Sequence, residues 1–85
     1  MNVVYTPDAE EDINRLEWLV AQRIVAKVDW FASQNDPLHF AVPLTGARAL
    51  YRFRIGDYRA FFTVRRRRVV VLLVLAVKHR SEAYR

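Results

Sequence analysis

The hydrophobic positions in the first part of the chain follow the period of a helix. Apolar side chains recur every three or four residues over Ala9–Val20 and again over Ile24–Ala32. Because neither Gly nor Pro separates the two stretches, the pattern allows one long helix over 7–33 or two helices that meet in a tight turn near Val20–Gln22. A chain this short closes more easily around a helical hairpin, which favours two helices.

Short signals mark the segments on either side of this helical region. Val3–Tyr5 is rich in β-formers and predicts a strand. The Thr6-Pro7-Asp8 triplet is typical of a helix start, since Thr accepts a backbone hydrogen bond as the cap and Pro fits the first turn. Asn35-Asp36-Pro37 predicts the end of the helical region, and a loop is expected from there to Gly46.

From Leu50 onward the period changes to two, which is typical of strands. Leu50–Ile55 and Tyr58–Val64 alternate in this way, and Gly56-Asp57 between them predicts a hairpin turn. The four residues of Arg65–Arg68 predict an exposed turn. Val69–Val77 is apolar without alternation, which predicts a central strand covered on both faces.

The resulting order, β-α-α-β-β-β, predicts an α+β domain in which a helical hairpin packs on one face of a small, mainly antiparallel sheet. The opposite face would carry Arg52, Arg54 and Arg59 and would be open to a ligand. At 85 residues the chain can form one core only, so residues 1–85 are expected to be a single domain.

Composition narrows the class of protein further. Hydrophobic residues make up 53% of the chain, as in folded proteins, and the absence of cysteine excludes disulfides, thiolate metal sites and a cysteine nucleophile. The longest apolar run, Val69–Val77, is far shorter than the roughly 20 residues that span a bilayer. The N-terminus also turns acidic too early for a signal peptide. We therefore expect a cytoplasmic protein without membrane contact.

The net charge of +5 conceals an asymmetry along the chain. Residues 1–45 carry three bases and seven acids, whereas residues 46–85 carry eleven bases and two acids. A molecule polarised in this way favours a polyanion such as RNA or DNA, or an acidic protein partner.

The residues that could carry chemistry are Arg52, Arg54, Arg59, Lys78, His79, Arg80 and Tyr84, the last four in a polar tail that follows the third strand of the meander. With almost no carboxylate among them, this set suits a phosphodiester better than Mg²⁺, which prefers oxygen ligands. One arginine side chain can bind two phosphate oxygens at once, and imidazole exchanges protons near neutral pH. The inventory suits metal-free RNA cleavage, in which the substrate's own 2′-hydroxyl attacks the neighbouring phosphorus, and no cofactor is expected.

Simpler interpretations exist for these residues. Alternating arginines on a strand usually form a solvated face, and a single His after a strand is more often a surface residue than a catalyst. Outside the set, we expect Trp18 and Trp30 to be packing residues on their helices. His39 is expected to be structural or incidental.

Three segments give the chain a family likeness. PLTG at Pro43–Gly46, YRFRIGDYR at Tyr51–Arg59 and HRSEAYR at His79–Arg85 resemble motifs of the RelE/ParE superfamily of toxins from toxin–antitoxin systems. Together with the leading β-α-α order, the likeness covers nearly the whole chain. It is closer to the RelE branch, whose members are ribosome-dependent mRNA interferases, than to the ParE branch, whose members poison DNA gyrase.

The resemblance implies a role for each residue of the set. Arg52 and Arg54 match paired basic residues that contact the scissile phosphate and help to activate the 2′-hydroxyl, and Arg59 matches an arginine that stabilises the transition state. Tyr84 matches a tyrosine that orients the nucleotide by stacking. The expected products are a 2′,3′-cyclic phosphate or 3′-phosphate and a 5′-hydroxyl.

The resemblance does not single out one acid–base group. Lys78, His79 and Arg80 fall where the family places its basic or imidazole residues, one of which is the general acid. Some family members have lysines where this chain has Arg52 and Arg54. Because arginine is a poor general base, the difference favours His79 for proton transfer.

The resemblance also implies partners: a cognate antitoxin that neutralises the toxin, and mRNA on the ribosome. No small-molecule cofactor is implied. Three functions stay open at this point, namely an mRNA endoribonuclease, a ParE-like gyrase inhibitor, and a catalytically weak RNA-binding member of the family.

Overall fold

The computed structural model of the chain describes residues 1–83 and confirms the α+β architecture. The elements are β1 (Asn2–Tyr5), α1 (Pro7–Asn14), α2 (Trp18–Ala32), a 3₁₀ turn (Pro37–Phe40), β2 (Val42–Pro43), β3 (Tyr51–Ile55), β4 (Tyr58–Arg66), β5 (Val70–His79) and α3 (Arg80–Ala83). The strands form one sheet in the order β1-β5-β4-β3-β2. β1 runs parallel to β5, and the other pairs are antiparallel. No helix within residues 1–83 is long and apolar enough to cross a membrane.

Two helices occupy the helical region, but the break between them lies earlier than predicted. α1 ends at Asn14 and α2 begins at Trp18, so the predicted turn near Val20–Gln22 falls inside α2. The Glu17 side chain caps α2 by accepting a hydrogen bond from the Leu19 N–H at 3.3 Å. Glu is not among the preferred capping residues, which explains why the sequence pattern does not reveal this turn.

The predicted helix start at Thr6 is confirmed, and it also fixes α1 to the sheet. The Thr6 side chain accepts a hydrogen bond from the Ala9 N–H at 3.1 Å, as a cap does. Its N–H donates to the Val74 carbonyl at 3.0 Å, and its hydroxyl donates to the Leu75 carbonyl at 3.1 Å. One residue therefore caps α1 and binds its first turn to the edge of β5.

β5 is an interior strand, as predicted, but helices cover only one of its faces. Leu72, Val74 and Val77 are buried on the helical side, whereas Val71 and Leu73 on the other side are half-buried. A bulge opposite β4 inserts one extra residue into β5 between positions 74 and 76. The bulge turns both Val74 and Val77 toward the core. The sequence shows no alternation because the side chains on the other face, including Val71 and Leu73, are apolar as well.

The core lies between the helices and one face of the sheet. Aromatic rings form its centre: Phe31 of α2 stacks on Phe53 with ring centroids 4.3 Å apart, and Phe53 stacks on Phe62 at 4.2 Å. Ile24 and Val28 complete the buried stripe of α2. This packing fixes β3 and β4 under α2 and places their alternate side chains on the opposite face of the sheet, which we call the uncovered face because α1 and α2 pack on the other one.

Two segments expected to be irregular have regular structure. The loop before β3 contains the 3₁₀ turn and the short strand β2, which pairs with Tyr51 and Arg52. At the other end, β5 continues through His79 and α3 follows it, where the sequence suggested only a polar tail. The Arg80 N–H donates to the Asp57 carbonyl at 2.7 Å and so extends the sheet toward α3.

Both tryptophans are more exposed than the packing role suggested by the sequence would make them, although Trp30 packs edge-on against Phe31 and Phe40. Trp18 is 67% exposed and Trp30 is 45% exposed, and Leu19 beside Trp18 is also exposed. His39 is exposed in the 3₁₀ turn and contacts the Phe40 ring edge-on. The exposed turn predicted at Arg65–Arg68 is confirmed, although its first two residues belong to β4.

Tyr5 provides a test of the core. Its hydroxyl is buried without a hydrogen-bond partner among the described residues, and burial, with a smaller effect of Asp29, raises the pKa of Tyr5 to about 12. Because the unfolded chain ionises first, this group lowers the free energy of unfolding as the pH rises from about 10 toward 12. We expect Tyr5→Phe to raise the free energy of unfolding by about 1 kcal/mol, since it removes an unpaired buried hydroxyl.

Urea denaturation of wild type and Tyr5→Phe at pH 7 and at alkaline pH measures both effects. The difference between the two proteins should widen with pH in favour of the variant. A difference that is constant with pH would show that the Tyr5 hydroxyl ionises as easily in the folded protein as in the unfolded chain.

Candidate functional site

The described residues of the predicted site lie at one end of the sheet, around the Gly56-Asp57 turn. Arg54, Arg59 and Lys78 are Cα partners in one row across β3, β4 and β5. Arg52 lies two residues before Arg54 on the same face. Like charges on directly opposed strand positions destabilise a sheet, so the row is not explained by sheet stability and is typical of a site for an anion.

Arg59 differs from the other arginines in being buried, with only 4% of its surface exposed. Its Nη1 donates to the carbonyls of Gly56 and Tyr58, both at 2.9 Å. These bonds hold the β3–β4 turn, in which Gly56 has the positive φ that the turn requires. Removal of the Arg59 side chain therefore disturbs the turn as well as any catalytic role, and it is a poor test of catalysis alone.

Lys78 is held by a carboxylate that the sequence analysis did not select. Its Nζ lies 2.9 Å from Oδ1 of Asp12, a residue of α1 that is nearly buried. The other oxygen, Oδ2, accepts from the Val77 N–H at 2.9 Å, on the edge of β5 that β1 no longer covers. Asp12 therefore satisfies an open backbone donor and fixes the position of the ammonium group at the same time.

This arrangement predicts that Asp12 contributes more to stability than its neighbours in α1. Asp12→Ala leaves the Val77 N–H and the Lys78 ammonium without their partner, and we expect it to lower the free energy of unfolding by about 2 kcal/mol. Asp12→Asn keeps an acceptor oxygen for the Val77 N–H and should recover about half of that loss. Urea denaturation measures both variants.

Glu11→Ala is the matched control for this comparison. Glu11 forms an ion pair with Arg15, but both side chains are exposed, so its removal should cost less than about 0.5 kcal/mol. Equal losses for Glu11→Ala and Asp12→Ala would contradict the special position of Asp12.

His79 is the last residue of β5 and is half-buried. Its Nδ1 accepts a hydrogen bond from the Ser81 N–H at 3.2 Å and lies 2.9 Å from the Ser81 hydroxyl. Because Nδ1 is the acceptor, the proton of the neutral ring is on Nε2. The ring stands edge-on to Tyr58, with centroids 5.3 Å apart, and this contact fixes its orientation. An oriented imidazole is suited to proton transfer, and in its imidazolium form, with protons on both nitrogens, it can donate a proton from Nε2.

Arg80 begins α3 and is largely exposed. Its Nε lies 3.8 Å from Oδ1 of Asp57, and an exposed pair at this distance adds little to stability. The guanidinium is therefore close to the turn without being fixed there. Tyr84, the remaining residue of the predicted set, lies outside the described residues.

The structure divides the predicted cluster into two parts. The arginines of β3 and β4 belong to the uncovered face, whereas Lys78 and His79 line a cleft of 130 Å³ between β5, α1 and α3, together with Asp12, Tyr58 and Glu82. The sequence-based expectation of almost no carboxylate was wrong, because folding brings Asp12 and Glu82 to this cleft. Within residues 1–83, no group of three or more His, Asp or Glu side chains could hold a metal ion.

Asp12, Tyr58 and Ser81 are the residues that sequence analysis missed. Asp12 and Lys78 are far apart in the sequence, and an acidic residue in the first helix is already explained by the helix dipole. Tyr58 alternates with the core residues and gives no sign of its contact with His79. Ser81, two residues after His79, is the one partner that local spacing could have suggested.

Solved structures with the same fold include toxins of toxin–antitoxin systems. The toxin–antitoxin complex RelBE2 from Mycobacterium tuberculosis is 22% identical, with a TM-score of 0.75 over 92% of this chain and 95% of that one. The archaeal RelE–RelB complex from Pyrococcus horikoshii OT3 is 26% identical, with a TM-score of 0.70 over 96% and 97%. The YoeB/ParE toxin from Agrobacterium tumefaciens is 18% identical, with a TM-score of 0.71 over 93% and 98%.

These likenesses show that the chain has the RelE-like fold. At the level of sequence, residues 3–84 match the family described as the ParE toxin of the type II toxin–antitoxin system parDE. The chain belongs to this toxin family, which confirms the RelE/ParE resemblance. No protein of curated function matches the sequence significantly.

Proposed function

We propose that this toxin is a metal-independent endoribonuclease that cleaves mRNA in the ribosomal A site. The observation that carries the proposal is that the same end of the sheet holds a row of cations, Arg54, Arg59 and Lys78, and the oriented imidazole of His79 in the cleft next to Lys78. Such a set supplies both phosphate binding and proton transfer, the two requirements for attack of a 2′-hydroxyl on the neighbouring phosphorus.

The arginines bind the scissile phosphate in this proposal. Arg52 and Arg54 lie on the uncovered face and reach the phosphate oxygens, where they stabilise the charge that develops as the 2′-oxygen loses its proton. Arg59, on the neighbouring strand β4, stabilises the transition state from a fixed position beside the β3–β4 turn. Tyr84 is assigned to stacking on the nucleotide.

His79 performs the proton transfer in this proposal. The 2′-hydroxyl gives its proton to water as its oxygen forms a bond to phosphorus. The bond between phosphorus and the 5′-oxygen breaks, and the 5′-oxygen takes up a proton as it leaves. We assign this proton to the imidazolium form of His79, which donates it from Nε2 while its Nδ1–H can donate to the Ser81 hydroxyl. Lys78 and Arg80 are neighbouring cations that stabilise the leaving group. The products are a 2′,3′-cyclic phosphate, or the 3′-phosphate that follows from it, and a 5′-hydroxyl.

A cognate antitoxin is the proposed protein partner, and the cytoplasm is the proposed site of action. Two of the similar structures are complexes of a toxin with its antitoxin, which supports a partner of this kind. The exposed Trp18 and Leu19 and the acidic first half of the chain offer surfaces for such a protein.

Inhibition of DNA gyrase is a second candidate function. The family match is to the ParE toxin of parDE, and ParE-like members bind gyrase without cleaving RNA. In that case the cationic face would contact the enzyme or its DNA, and no proton transfer would be needed.

Primer extension on a defined mRNA in a purified translation mixture separates the two candidates. The proposal predicts discrete cuts when ribosomes are present and none when they are omitted. Absence of cuts together with loss of DNA supercoiling by purified gyrase would instead assign the protein to the second function.

A further inference from the structure

A second basic surface lies beside the proposed active site, on the other side of β3. β2 pairs with β3 only at Tyr51 and Arg52, so the rest of β3 is an open edge. A groove of 470 Å³ runs between this edge and α2, and we call it the α2–β3 groove. Its lining residues are Arg23, Ala26, Lys27, Trp30, Arg54, Ile55 and Gly56.

The groove is positively charged, although α2 belongs to the acidic first half of the chain. The first half of the chain has only three basic residues, and two of them, Arg23 and Lys27, face the groove one helical turn apart. Arg54 adds a third cation from β3. No acidic side chain is among the lining residues that the structure describes, so the cations present a uniform positive field.

Trp30 gives the groove an aromatic wall. The ring is 45% exposed and is held by edge-on contacts with Phe31 and Phe40, at centroid distances of 5.5 and 5.3 Å. The Lys27 ammonium lies over the face of this ring, 4.3 Å from its centroid. Proteins bind the base and the phosphate of one nucleotide with an exposed aromatic ring and a nearby cation, and the flexible Lys27 side chain can move from the ring face to a phosphate when a base stacks on Trp30.

We infer that the α2–β3 groove binds single-stranded RNA, with a base on Trp30 and phosphates on Arg23 and Lys27. The inference rests on the proposed function, because Arg54 belongs to both surfaces and connects them. A strand whose scissile phosphate lies on Arg54 can continue around the open edge of β3 into the groove. The groove would therefore hold nucleotides that flank the cleaved bond.

An acidic protein segment is the other polyanion that such a groove could attract. RNA is favoured by the exposed Trp30, since every base has a π-face that stacks on an aromatic ring and a carboxylate has none. The shared residue Arg54 also favours RNA, because the same ligand can then occupy both surfaces.

The two tryptophans of the chain allow a direct test by fluorescence. Trp18→Phe leaves Trp30 as the single reporter in the groove, and Trp30→Phe leaves Trp18, which is exposed elsewhere on α2. The ligand is a short single-stranded 2′-O-methyl RNA, which cannot be cleaved because its 2′-oxygen is blocked. We expect this RNA to quench Trp30 and to leave Trp18 unchanged.

Binding constants give the magnitude of each contribution. Trp30→Ala should weaken binding by about 5- to 100-fold, the effect of losing one stacked base, whereas Trp18→Ala should not change it. Joint substitution of Arg23 and Lys27 by Gln should reduce the slope of log K against log salt by about 1.4, since each phosphate contact of a single strand contributes about 0.7.

Two results would overturn the inference: equal quenching of Trp18 and Trp30 by RNA, or quenching of Trp30 by poly-glutamate as strong as that by RNA. Comparison with the primer-extension assay distinguishes failure of the groove inference from failure of the proposed endoribonuclease function. Cuts in mRNA without quenching of Trp30 would reject the groove alone. Quenching of Trp30 without cuts would reject the endoribonuclease and leave the groove as an RNA site.

Discussion

Replacement of His79 by Gln is expected to slow mRNA cleavage by about 10²- to 10⁴-fold, the usual contribution of a general acid or base. Gln can still accept the hydrogen bond of the Ser81 N–H, so the end of β5 should keep its conformation. It cannot deliver a proton to the leaving 5′-oxygen. The rate of a single round of cleavage, measured on ribosomes programmed with a defined mRNA, is the appropriate readout.

His39→Gln is the matched control, since His39 is the other histidine of the chain and is exposed in the 3₁₀ turn. Its substitution should leave the rate unchanged. If His79→Gln cleaves as fast as the control, His79 is not the acid, and the assignment would have to pass to Lys78 or Arg80.

Arg54→Ala is expected to lower the cleavage rate by about 10²- to 10³-fold. Arg54 is exposed on the uncovered face, and it is the arginine whose loss should affect phosphate binding with the least effect on the core. Removal of one fixed donor to a developing negative charge has an effect of this size in other enzymes. Thermal unfolding of the variant should differ little from that of wild type.

Arg66→Ala is the control for this prediction, because Arg66 is an exposed arginine of β4 at the opposite end of the sheet. It changes the net charge by the same amount. Equal loss of activity in the two variants would mean that overall charge attracts the ribosome and that the arginines near the turn have no special position. Arg59→Ala is less informative, since it also removes two hydrogen bonds of the turn.

The fold could be predicted from local patterns where those patterns have a single physical cause. Thr6 and Pro7 marked the start of α1, and the alternation around Phe53 placed the core face of β3 correctly. The turn between the helices was misplaced because neither Gly nor Pro marks it, and because Glu17, which caps α2, is not a usual capping residue. The burial of the second face of β5 was overestimated because its side chains, such as Val71 and Leu73, are apolar although they are only half-buried.

The site was predictable as a set of residue types but not as an arrangement. The alternation of Arg52 and Arg54 correctly indicated a shared face, and the pairing of Arg59 with Lys78 follows from the order of the strands. The contact of Lys78 with Asp12 depends on how α1 crosses the end of β5, and no short-range pattern encodes it. The burial of Arg59 also depends on tertiary structure, because a strand pattern predicts only the side of the sheet.

The central claim is that the substrate's own 2′-hydroxyl attacks the phosphorus, and one substitution in the RNA tests it directly. Once primer extension has located a cut, the same mRNA is prepared with a single 2′-deoxynucleotide immediately before the scissile phosphate. The account predicts that cleavage at this bond disappears, while the unmodified mRNA yields a 2′,3′-cyclic phosphate or 3′-phosphate and a 5′-hydroxyl. Undiminished cleavage of the 2′-deoxy mRNA at the same bond would contradict the mechanism.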